Sequence, residues 1–294
     1  FGKYAPLLVA KPDIVHIHHI QILNNTLLNF FKATKIKTIV TVRGSDVLVR
    51  PFRDNKHLKF IQNVLNKVNY IHAVAKNLAQ TVEDLGKPKE KIFTIYRTVE
   101  IDEIGFSKKR KATTDFYNIT TIGRVHWTKG YVDAIKALNV LKSNGVNFKY
   151  HICGGYEIDL FDELNYWIRK YKLENDIIFH GHVNNQKINE LLSETDVYLQ
   201  CSLTEGVPNT LLRAIHFHIP IVATNAGGIP EVFVENKHGL MVDVGDFEKI
   251  AESLQLIIED KVTLEKYSIK EISASKEINA YKNMYTKLLD INTF

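Results

Sequence analysis

Three short segments of this 294-residue sequence combine charged residues with glycine, and each follows an apolar run. The first begins at Gly123 and carries two cations, Arg124 and Lys129, before a helix that we predict to open at Tyr131. Two fixed cations beside a helix N-terminus favour an anion, because the backbone N–H groups and the helix dipole are positive there. The segment therefore predicts a diphosphate site. The alternative is an ordinary strand–helix turn with solvated charges.

The second segment, at 202–213, places a carboxylate next to a glycine. Glu205 and Gly206 follow the apolar run 197–201, and Pro208 suits the first turn of the next helix. A carboxylate in this position can accept hydrogen bonds from ligand hydroxyls, while Gly206 lets a ligand approach the backbone. The alternative is a helix-end carboxylate that is stabilised by the helix dipole and binds nothing.

The third segment, at 224–232, contains two consecutive glycines. Gly227 and Gly228 can present successive N–H groups to an anion, and Glu231 is expected to open the next helical turn. A plain turn would need only one of these glycines. The three segments together predict ligand-binding turns at the ends of three strands of one sheet.

The elements that must position these turns alternate along the chain. Short β-rich runs are separated by longer stretches of helical period, which is typical of βαβ units around parallel sheets. Helices are predicted at about 21–34, 55–68 and 76–85, with a helical tail of about 30 residues and a basic linker at 108–111. Ten strands are predicted, at 14–18, 38–42, 70–74, 92–95, 118–122, 148–153, 177–180, 197–201, 219–224 and 240–242.

Composition excludes several classes of protein. A hydrophobic fraction of 45% is too high for a disordered chain, and no apolar stretch approaches the roughly 20 residues of a membrane-spanning helix. Two cysteines cannot form a disulfide framework, so a cytoplasmic location is expected. Residues 1–111 carry 20 basic and 9 acidic side chains, a net charge of +11. This part favours anionic partners such as nucleic acid, an acidic membrane or phosphorylated substrates, or is simply a solvated basic face.

The three segments, together with His238-Gly239-Leu240, resemble the nucleotide-sugar half of the retaining GT-B glycosyltransferases, the "glycosyl transferases group 1" family. Two earlier segments, at 11–16 and 43–46, resemble the N-terminal half of that family. The resemblance implies an α/β fold with two Rossmann-like domains whose parallel sheets face each other across a cleft. It implies a partial acceptor-side domain at 1–107, a nucleotide-sugar-binding domain at 108–270 and a helix at 271–294 that packs back toward the first domain. The first domain looks incomplete, because it opens with the end of a helix, so the sequence is expected to be truncated at its N-terminus.

The resemblance also implies roles for individual residues. Arg124 and Lys129 would hold the diphosphate and stabilise the charge that develops on it, and Glu205 would bind sugar hydroxyls as the third catalytic residue. On the acceptor side it implies His18, Arg43 and Asp46. The donor-binding residues that it implies are Gly123, His182, Ser202, Gly206, Val207, Pro208, Arg213, Gly227, Gly228 and Glu231. No Asp-x-Asp occurs in the sequence, so neither a metal nor a cofactor besides the donor substrate is expected.

Some positions depart from the family pattern. Arg213 stands where the family has a second glutamate that grips the ribose, and a guanidinium can only donate hydrogen bonds. Arg43 replaces a frequent histidine, and the usual Asn-Gly turn is absent at 95–99. The histidine pairs at 16/18 and 180/182 have no identifiable third metal ligand.

The function that we expect from the resemblance is metal-independent transfer, with retention, of a sugar from a nucleotide diphosphate sugar. The acceptor would be an oligosaccharide or a lipid-linked glycan in surface polysaccharide or glycoconjugate synthesis. The basic first domain would suit the anionic inner face of the membrane. The alternatives are a nucleotide-sugar epimerase of the same fold and a degenerate, non-catalytic nucleotide-sugar-binding protein. Nucleic acid is not expected as a partner, since no basic motif interleaved with aromatic residues occurs.

Overall fold

The computed structural model describes residues 5–98, 115–156, 158–265 and 274–290. The predicted linker at 108–111, and with it the predicted boundary between 107 and 108, lies outside these residues. The chain divides into two compact units: unit 1 contains Phe1–Thr98 and Ile272–Phe294, and unit 2 contains Val99–Glu271. Each unit is built on one sheet, and every strand pair within the two sheets is parallel. The predicted α/β class with two parallel sheets is confirmed.

Unit 1 has a four-stranded sheet in the order β1-β2-β3-β4. Five of the six residues of β2 are buried, as is usual for a parallel strand that is covered on both faces. The strands are β1 (Ile14–Ile17), β2 (Lys37–Val42), β3 (Tyr70–Ala73) and β4 (Ile92–Thr94). The helices are α1 (Ala5–Ala10), α2 (Asn25–Thr34), α3 (Ser45–Leu48), α4 (Asn55–Lys67), α5 (Lys76–Asp84) and, at the end of the chain, α11 (Ala274–Asp290).

Helix α11 completes the core of unit 1. Met284 and Leu288, one helical turn apart, are buried against Ile39 of β2 and against Ile95. The fully buried apolar contacts of this helix therefore come from the methionine and leucine, and the partly buried Tyr281 and Tyr285 pack against the same cluster.

Unit 2 has a six-stranded sheet in the order β10-β9-β8-β5-β6-β7. Strands β5 and β8 are neighbours at its centre, and the chain winds outward from them in opposite directions. Such a switch point opens a crevice at the carboxyl ends of its strands. The strands are β5 (Tyr117–Ile122), β6 (Phe148–Cys153), β7 (Ile177–Gly181), β8 (Val197–Gln200), β9 (Ile221–Thr224) and β10 (Gly239–Val242). The helices are α6 (Tyr131–Ser143), α7 (Ile158–Lys170), α8 (Asn185–Glu194), α9 (Asn209–His216) and α10 (Phe247–Ile258).

All ten predicted strands are present, and the differences lie at element ends. The predicted helix 21–34 is divided into a 3-10 turn at Ile20–Ile22 and α2, because the Asn24 side chain caps α2 by accepting the Leu27 N–H. Pro208 precedes α9 as its N-cap instead of lying in its first turn. Glu231 ends a single 3-10 turn, Ile229–Glu231, and does not open a helix. Helix α11 accounts for 17 residues of the predicted helical tail of about 30, and residues 266–273 and 291–294 of that tail lie outside the described residues.

Two global features bear on function. No helix within the described ranges is long and apolar enough to span a bilayer. Cys153 and Cys201 are both buried free thiols, and burial raises the pKa of Cys153 to about 11. The thiols therefore remain protonated and act as small apolar side chains.

Candidate active site

The turns that follow β5 and β8 lie against each other. Gly130, which ends the first turn, has φ of 64°, and a Cβ placed on it would lie 1.8 Å from the carbonyl oxygen of Cys201. The Leu203 N–H donates to the Thr128 carbonyl oxygen at 2.8 Å. Only glycine at 130 allows the two backbones this close approach.

The turn after β9 joins the same cluster. The Gly228 N–H donates to the Glu205 carbonyl oxygen at 3.1 Å, and the Thr224 hydroxyl donates to the Ser202 carbonyl oxygen at 2.6 Å. The three glycine-bearing segments identified in the sequence therefore meet beyond the carboxyl ends of β5, β8 and β9, at the switch point of the sheet.

A lysine–glutamate pair lies where the turns meet. The Lys129 ammonium forms an ion pair with the Glu205 carboxylate, and the Ser202 hydroxyl donates to the same carboxylate oxygen at 2.9 Å. The Lys129 chain passes over Gly123, where a Cβ would lie 3.5 Å from the lysine Cε. The paired side chains are only 23% and 14% exposed, so solvent screens them less than it screens a surface pair.

A buried chain of hydrogen bonds lies behind Glu205. The Tyr198 hydroxyl donates to the side-chain oxygen Oε1 of Gln200 at 3.2 Å, and the side-chain Nε2 of Gln200 donates to the Ser202 hydroxyl at 2.7 Å. Because Ser202 accepts from Gln200, its own proton is directed to Glu205. Burial raises the pKa of Tyr198, which keeps its hydroxyl protonated as the donor that begins the chain.

The motif comparison did not identify Tyr198 or Gln200 as site residues. The signal that could have found them is a glutamine in an otherwise apolar, fully buried strand. Residues 198, 200 and 202 also alternate, so they fall on one face of β8 and its extension.

The other predicted donor-side residues differ in their exposure to solvent and in their hydrogen-bond partners. Arg124 is exposed and, within the part of the chain that the structure describes, forms no hydrogen bond or ion pair. The Arg213 guanidinium donates to the Asn185 side chain at the start of α8 at 3.2 Å, and burial lowers its pKa. His182 and Gly227 are exposed, Val207 and Glu231 are half-buried, and Gly206 and Pro208 are buried.

The predicted acceptor-side residues lie in unit 1. His18 and Arg43 line a cavity of about 280 Å³, together with Arg97 and residues of α11. Asp46 does not line it. The Asp46 carboxylate is buried and accepts the backbone N–H groups of Arg43 and Gly44, at 3.1 and 2.8 Å, and burial raises its pKa. Asp46 therefore shapes the turn that carries Arg43, and its carboxylate does not face a ligand there.

One wall of this cavity is backed by a hydrogen-bonded chain of neutral side chains. His72 Nε2 lies 3.0 Å from the Ile95 carbonyl oxygen, which can only accept, so this nitrogen carries the proton. Thr41 then donates to His72 Nδ1 at 3.0 Å and accepts from His16 Nε2 at 2.7 Å. Tyr285 of α11 donates to His16 Nδ1 at 2.6 Å.

Burial keeps both histidines of this chain neutral, lowering the pKa of His16 to about 3 and that of His72 to about 4. Tyr285 thus has a polar contact with His16, and both Tyr281 and Tyr285 also pack, partly buried, against the apolar cluster that contains Met284 and Leu288.

No group of three His, Cys, Asp or Glu side chains that could hold a metal ion occurs among the residues that the structure describes. In the histidine pair 180/182, His180 contacts His151 of β6, and its Nε2 lies 2.9 Å from the Nδ1 of His151. His182 is exposed and does not share that contact.

The sequence of this chain is similar to those of bacterial glycosyltransferases. WcaL of Escherichia coli K12 is 29% identical to this chain over 228 residues, or 75% of this chain and 54% of WcaL. Its name assigns it provisionally to colanic acid biosynthesis as a glycosyltransferase. The amylovoran biosynthesis glycosyltransferase AmsK of Erwinia amylovora is 26% identical over 247 residues, or 82% of this chain and 60% of AmsK. The chain thus spans less than two thirds of the length of these relatives.

The fold is shared with solved structures. Anabaena Alr3699/HepE, crystallised in complex with UDP and glucose, superposes with a TM-score of 0.80 at 18% identity, over 95% of this chain and 78% of HepE. Sucrose-phosphate synthase of Thermosynechococcus elongatus gives a TM-score of 0.80 at 14% identity, over 98% of this chain and 76% of the synthase. These likenesses confirm the GT-B architecture.

Family models cover nearly the whole sequence. The model of Glycosyltransferase Family 4 matches residues 2–103, and the model of Glycosyl transferases group 1 matches residues 103–273. The second match spans more than half of the chain and contains all three turns of the candidate site. This chain belongs to the glycosyl transferases group 1 family.

Proposed function

We propose that this chain carries out sugar transfer from a nucleotide diphosphate sugar to a glycan or lipid-linked acceptor in surface polysaccharide synthesis. The observation that carries the proposal is the Lys129–Glu205 pair at the switch point of unit 2, where glycine-bearing turns from three strands meet. The names of WcaL and AmsK support the pathway, and the UDP in HepE supports a nucleotide donor.

In this proposal the donor diphosphate lies against the turn after β5. Negative charge grows on the diphosphate as the bond between the sugar C1 and the phosphate oxygen breaks, and a preplaced ammonium at 129 stabilises it. The exposed guanidinium of Arg124 and the Gly227 N–H group supply further donors, whereas the Gly228 N–H already donates to the Glu205 carbonyl oxygen. These fixed groups perform the task for which other transferases use a metal ion.

Glu205 binds hydroxyls of the transferred sugar. A carboxylate only accepts hydrogen bonds, which suits sugar hydroxyls, and the Ser202–Gln200–Tyr198 chain holds it in place from behind. We propose retention by attack of the acceptor hydroxyl on the face that the diphosphate leaves. The acceptor oxygen bonds to C1 while its proton passes to the departing phosphate oxygen, so no protein base is needed.

The acceptor is proposed to bind at unit 1, whose basic sequence would also suit an anionic inner membrane face. No cofactor besides the donor substrate is part of the proposal.

Donor binding and transfer test it separately. The chain is incubated with UDP-glucose, UDP-galactose, UDP-N-acetylglucosamine and GDP-mannose, first alone to measure thermal stabilisation and then with membrane acceptors. A ligand at 100 times its dissociation constant adds about 2.7 kcal/mol to stability. Lys129→Met is expected to lower transfer about 100-fold or more. Its matched control is Lys142→Met, which removes a lysine that pairs with Asp176 at 2.5 Å elsewhere in unit 2.

Equal activity of the two lysine variants would exclude the proposed role of Lys129. Stabilisation by a donor without transfer to any acceptor would favour the non-catalytic binding protein, and isomerisation of the donor sugar without an acceptor would favour the epimerase.

A further inference from the structure

The cavity of unit 1 collects charge from distant parts of the sequence. Arg43 reaches it from the turn after β2 and Arg97 from the stretch after β4, with His18 from the end of β1. Glu277, Tyr281 and Tyr285 of α11 close the opposite side. Its volume of about 280 Å³ is near the lower end of small-ligand pockets, which is enough for one sugar unit.

The two guanidinium groups are neighbours of like charge. Burial and, after it, the charge of Arg97 lower the pKa of Arg43, and Asp46 offsets this only in part. The only polar contact of the Arg43 guanidinium among the described residues is with His19 Nε2 at 3.2 Å. Neither arginine forms an ion pair with a carboxylate in the described part of the chain. Two half-buried cations side by side are stabilised when an oxyanion lies between them.

The one carboxylate that lines this cavity in the described structure is held by another group. A single oxygen of Glu277 accepts both the N–H and the hydroxyl of Thr98, each at 2.6 Å. These two hydrogen bonds fix α11 to the stretch that carries Arg97. Glu277 forms no ion pair with either arginine among the described residues, so both guanidinium groups keep donors for an anion.

The tyrosines provide a flat wall beside the arginines. The Tyr281 and Tyr285 rings lie with centroids 6.2 Å apart and planes inclined by 21°. The hydroxyl of Tyr285 is fixed by its hydrogen bond to His16. Nearly parallel aromatic rings offer an apolar face of the kind on which the C–H face of a sugar ring packs.

We propose that this cavity binds the oxyanion of an acidic glycan acceptor, with Arg43 and Arg97 clamping the anion and the sugar ring resting on Tyr281 and Tyr285. The proposal rests on the proposed transferase function and adds the chemical class of its acceptor. The oxyanion is either the carboxylate of a uronic acid or a phosphate of a lipid-linked glycan. Both match the planar donors of guanidinium groups.

Calorimetric titration of the 294-residue chain tests this directly. The probes are methyl glucuronoside, methyl glucoside, which lacks only the carboxylate, and inorganic phosphate. We expect the glucuronoside or phosphate to bind at least about tenfold more tightly than the glucoside, since a hydrogen bond to a charged group contributes 1.5–3 kcal/mol. Arg97→Gln is expected to weaken that binding about tenfold or more, and Arg97→Lys less. Arg53→Gln, an exposed arginine of the same unit outside the cavity, is the control.

Tighter binding of glucuronoside assigns the anion to a uronic acid, and tighter binding of phosphate assigns it to a lipid-linked phosphate. Equal binding of glucuronoside and glucoside with no binding of phosphate overturns the proposal, as does anion binding that survives Arg97→Gln. Urea denaturation followed by circular dichroism, compared with that of the unsubstituted chain, shows whether unit 1 is folded in Arg97→Gln, and titration of UDP reports on unit 2. If UDP fails to bind the unsubstituted chain while the glucuronoside binds, the transferase proposal fails and the oxyanion cavity stands.

Discussion

Gly130→Ala tests the contact on which the candidate active site depends. Gly130 and Gly145 flank α6, one at each end, and both have positive φ, 64° and 82°. A Cβ at 130 would lie 1.8 Å from the Cys201 carbonyl oxygen, whereas a Cβ at 145 would meet nothing within 4 Å. Alanine therefore has a similar cost in backbone conformation at both positions. Only at 130 does it also cause a steric conflict between two turns of the site.

The expected costs differ by the size of that conflict. A left-handed alanine costs about 1–2 kcal/mol at either position. At 130 the methyl must also move from 1.8 Å to an ordinary contact, a shift of about 1.6 Å that the turn after β5 or the end of β8 must absorb. Forcing such overlap into a packed region costs about 1–3 kcal/mol more. Gly130→Ala should thus lose about 2–5 kcal/mol, and Gly145→Ala about 1–2 kcal/mol.

Tryptophan fluorescence during urea denaturation measures this selectively, because Trp127 and Trp167, the only tryptophans, both belong to unit 2. The displaced turn also carries Lys129, so Gly130→Ala should abolish stabilisation by the donor sugar, and Gly145→Ala should retain it. Equal loss of stability in the two variants would refute the reasoning, as would a Gly130→Ala protein that is still stabilised by the donor.

Three further predictions concern buried polar groups. Because the pKa of His72 is about 4 in the folded chain, the unfolded chain binds more protons at this residue below pH 6.5, so His72 alone should contribute about 2 kcal/mol to the loss of unfolding free energy between pH 7 and pH 5. Circular dichroism of urea denaturation should therefore show a loss about 2 kcal/mol smaller in His72→Gln than in the unsubstituted chain, in which the buried His16 adds a loss of its own. The buried Lys87 ammonium donates to the Leu65 and Val68 carbonyl oxygens at 2.7 and 2.5 Å. Lys87→Met should therefore lower the free energy of unfolding by about 2–4 kcal/mol in the same measurement. The control Lys89→Met replaces an exposed lysine and should lower it by less than about 0.5 kcal/mol. Gln200→Leu removes a hydrogen-bond partner of both Tyr198 and Ser202. It should lower the free energy of unfolding by about 1–3 kcal/mol and weaken donor binding in a thermal-shift titration. Gln186→Leu, on the exposed face of α8, should change neither quantity.

The strands and the three turns could be predicted because each depends on residues close together in sequence. The parallel strands are short runs of three to six residues that are rich in apolar side chains, and glycine beside charge marks a turn at the ends of three of them. Helix ends were less predictable, since Asn24 and Pro208 act through capping geometry that a periodic pattern does not contain.

The cavity of unit 1 could not be predicted in the same way. Arg97 and Glu277 are 180 positions apart, and they meet only because α11 packs on the sheet through Met284 and Leu288. The resemblance pointed to His18 and Arg43, which do line the cavity, but also to Asp46, which does not. A carboxylate two or three residues from backbone N–H groups can fold back onto its own turn, and the sequence alone does not distinguish that from a ligand contact.

Both sites take the orientation of their polar side chains from a buried group whose hydrogen-bonding role is fixed. In unit 1 that group is the Ile95 carbonyl, which can only accept and therefore sets the proton on His72, the direction of Thr41 and finally that of the Tyr285 hydroxyl. In unit 2 it is the Tyr198 hydroxyl, which burial keeps protonated and which orients Gln200, then Ser202 and finally Glu205.

Each chain starts in the core and ends at a side chain proposed to contact substrate. Reversing any one member would leave two donors or two acceptors facing each other at a cost of about 1–3 kcal/mol, so the terminal group has one preferred orientation before substrate arrives. Preorganisation of this kind limits the entropy lost on binding. It also explains why Gln200, which is not proposed to touch the donor, should affect donor binding.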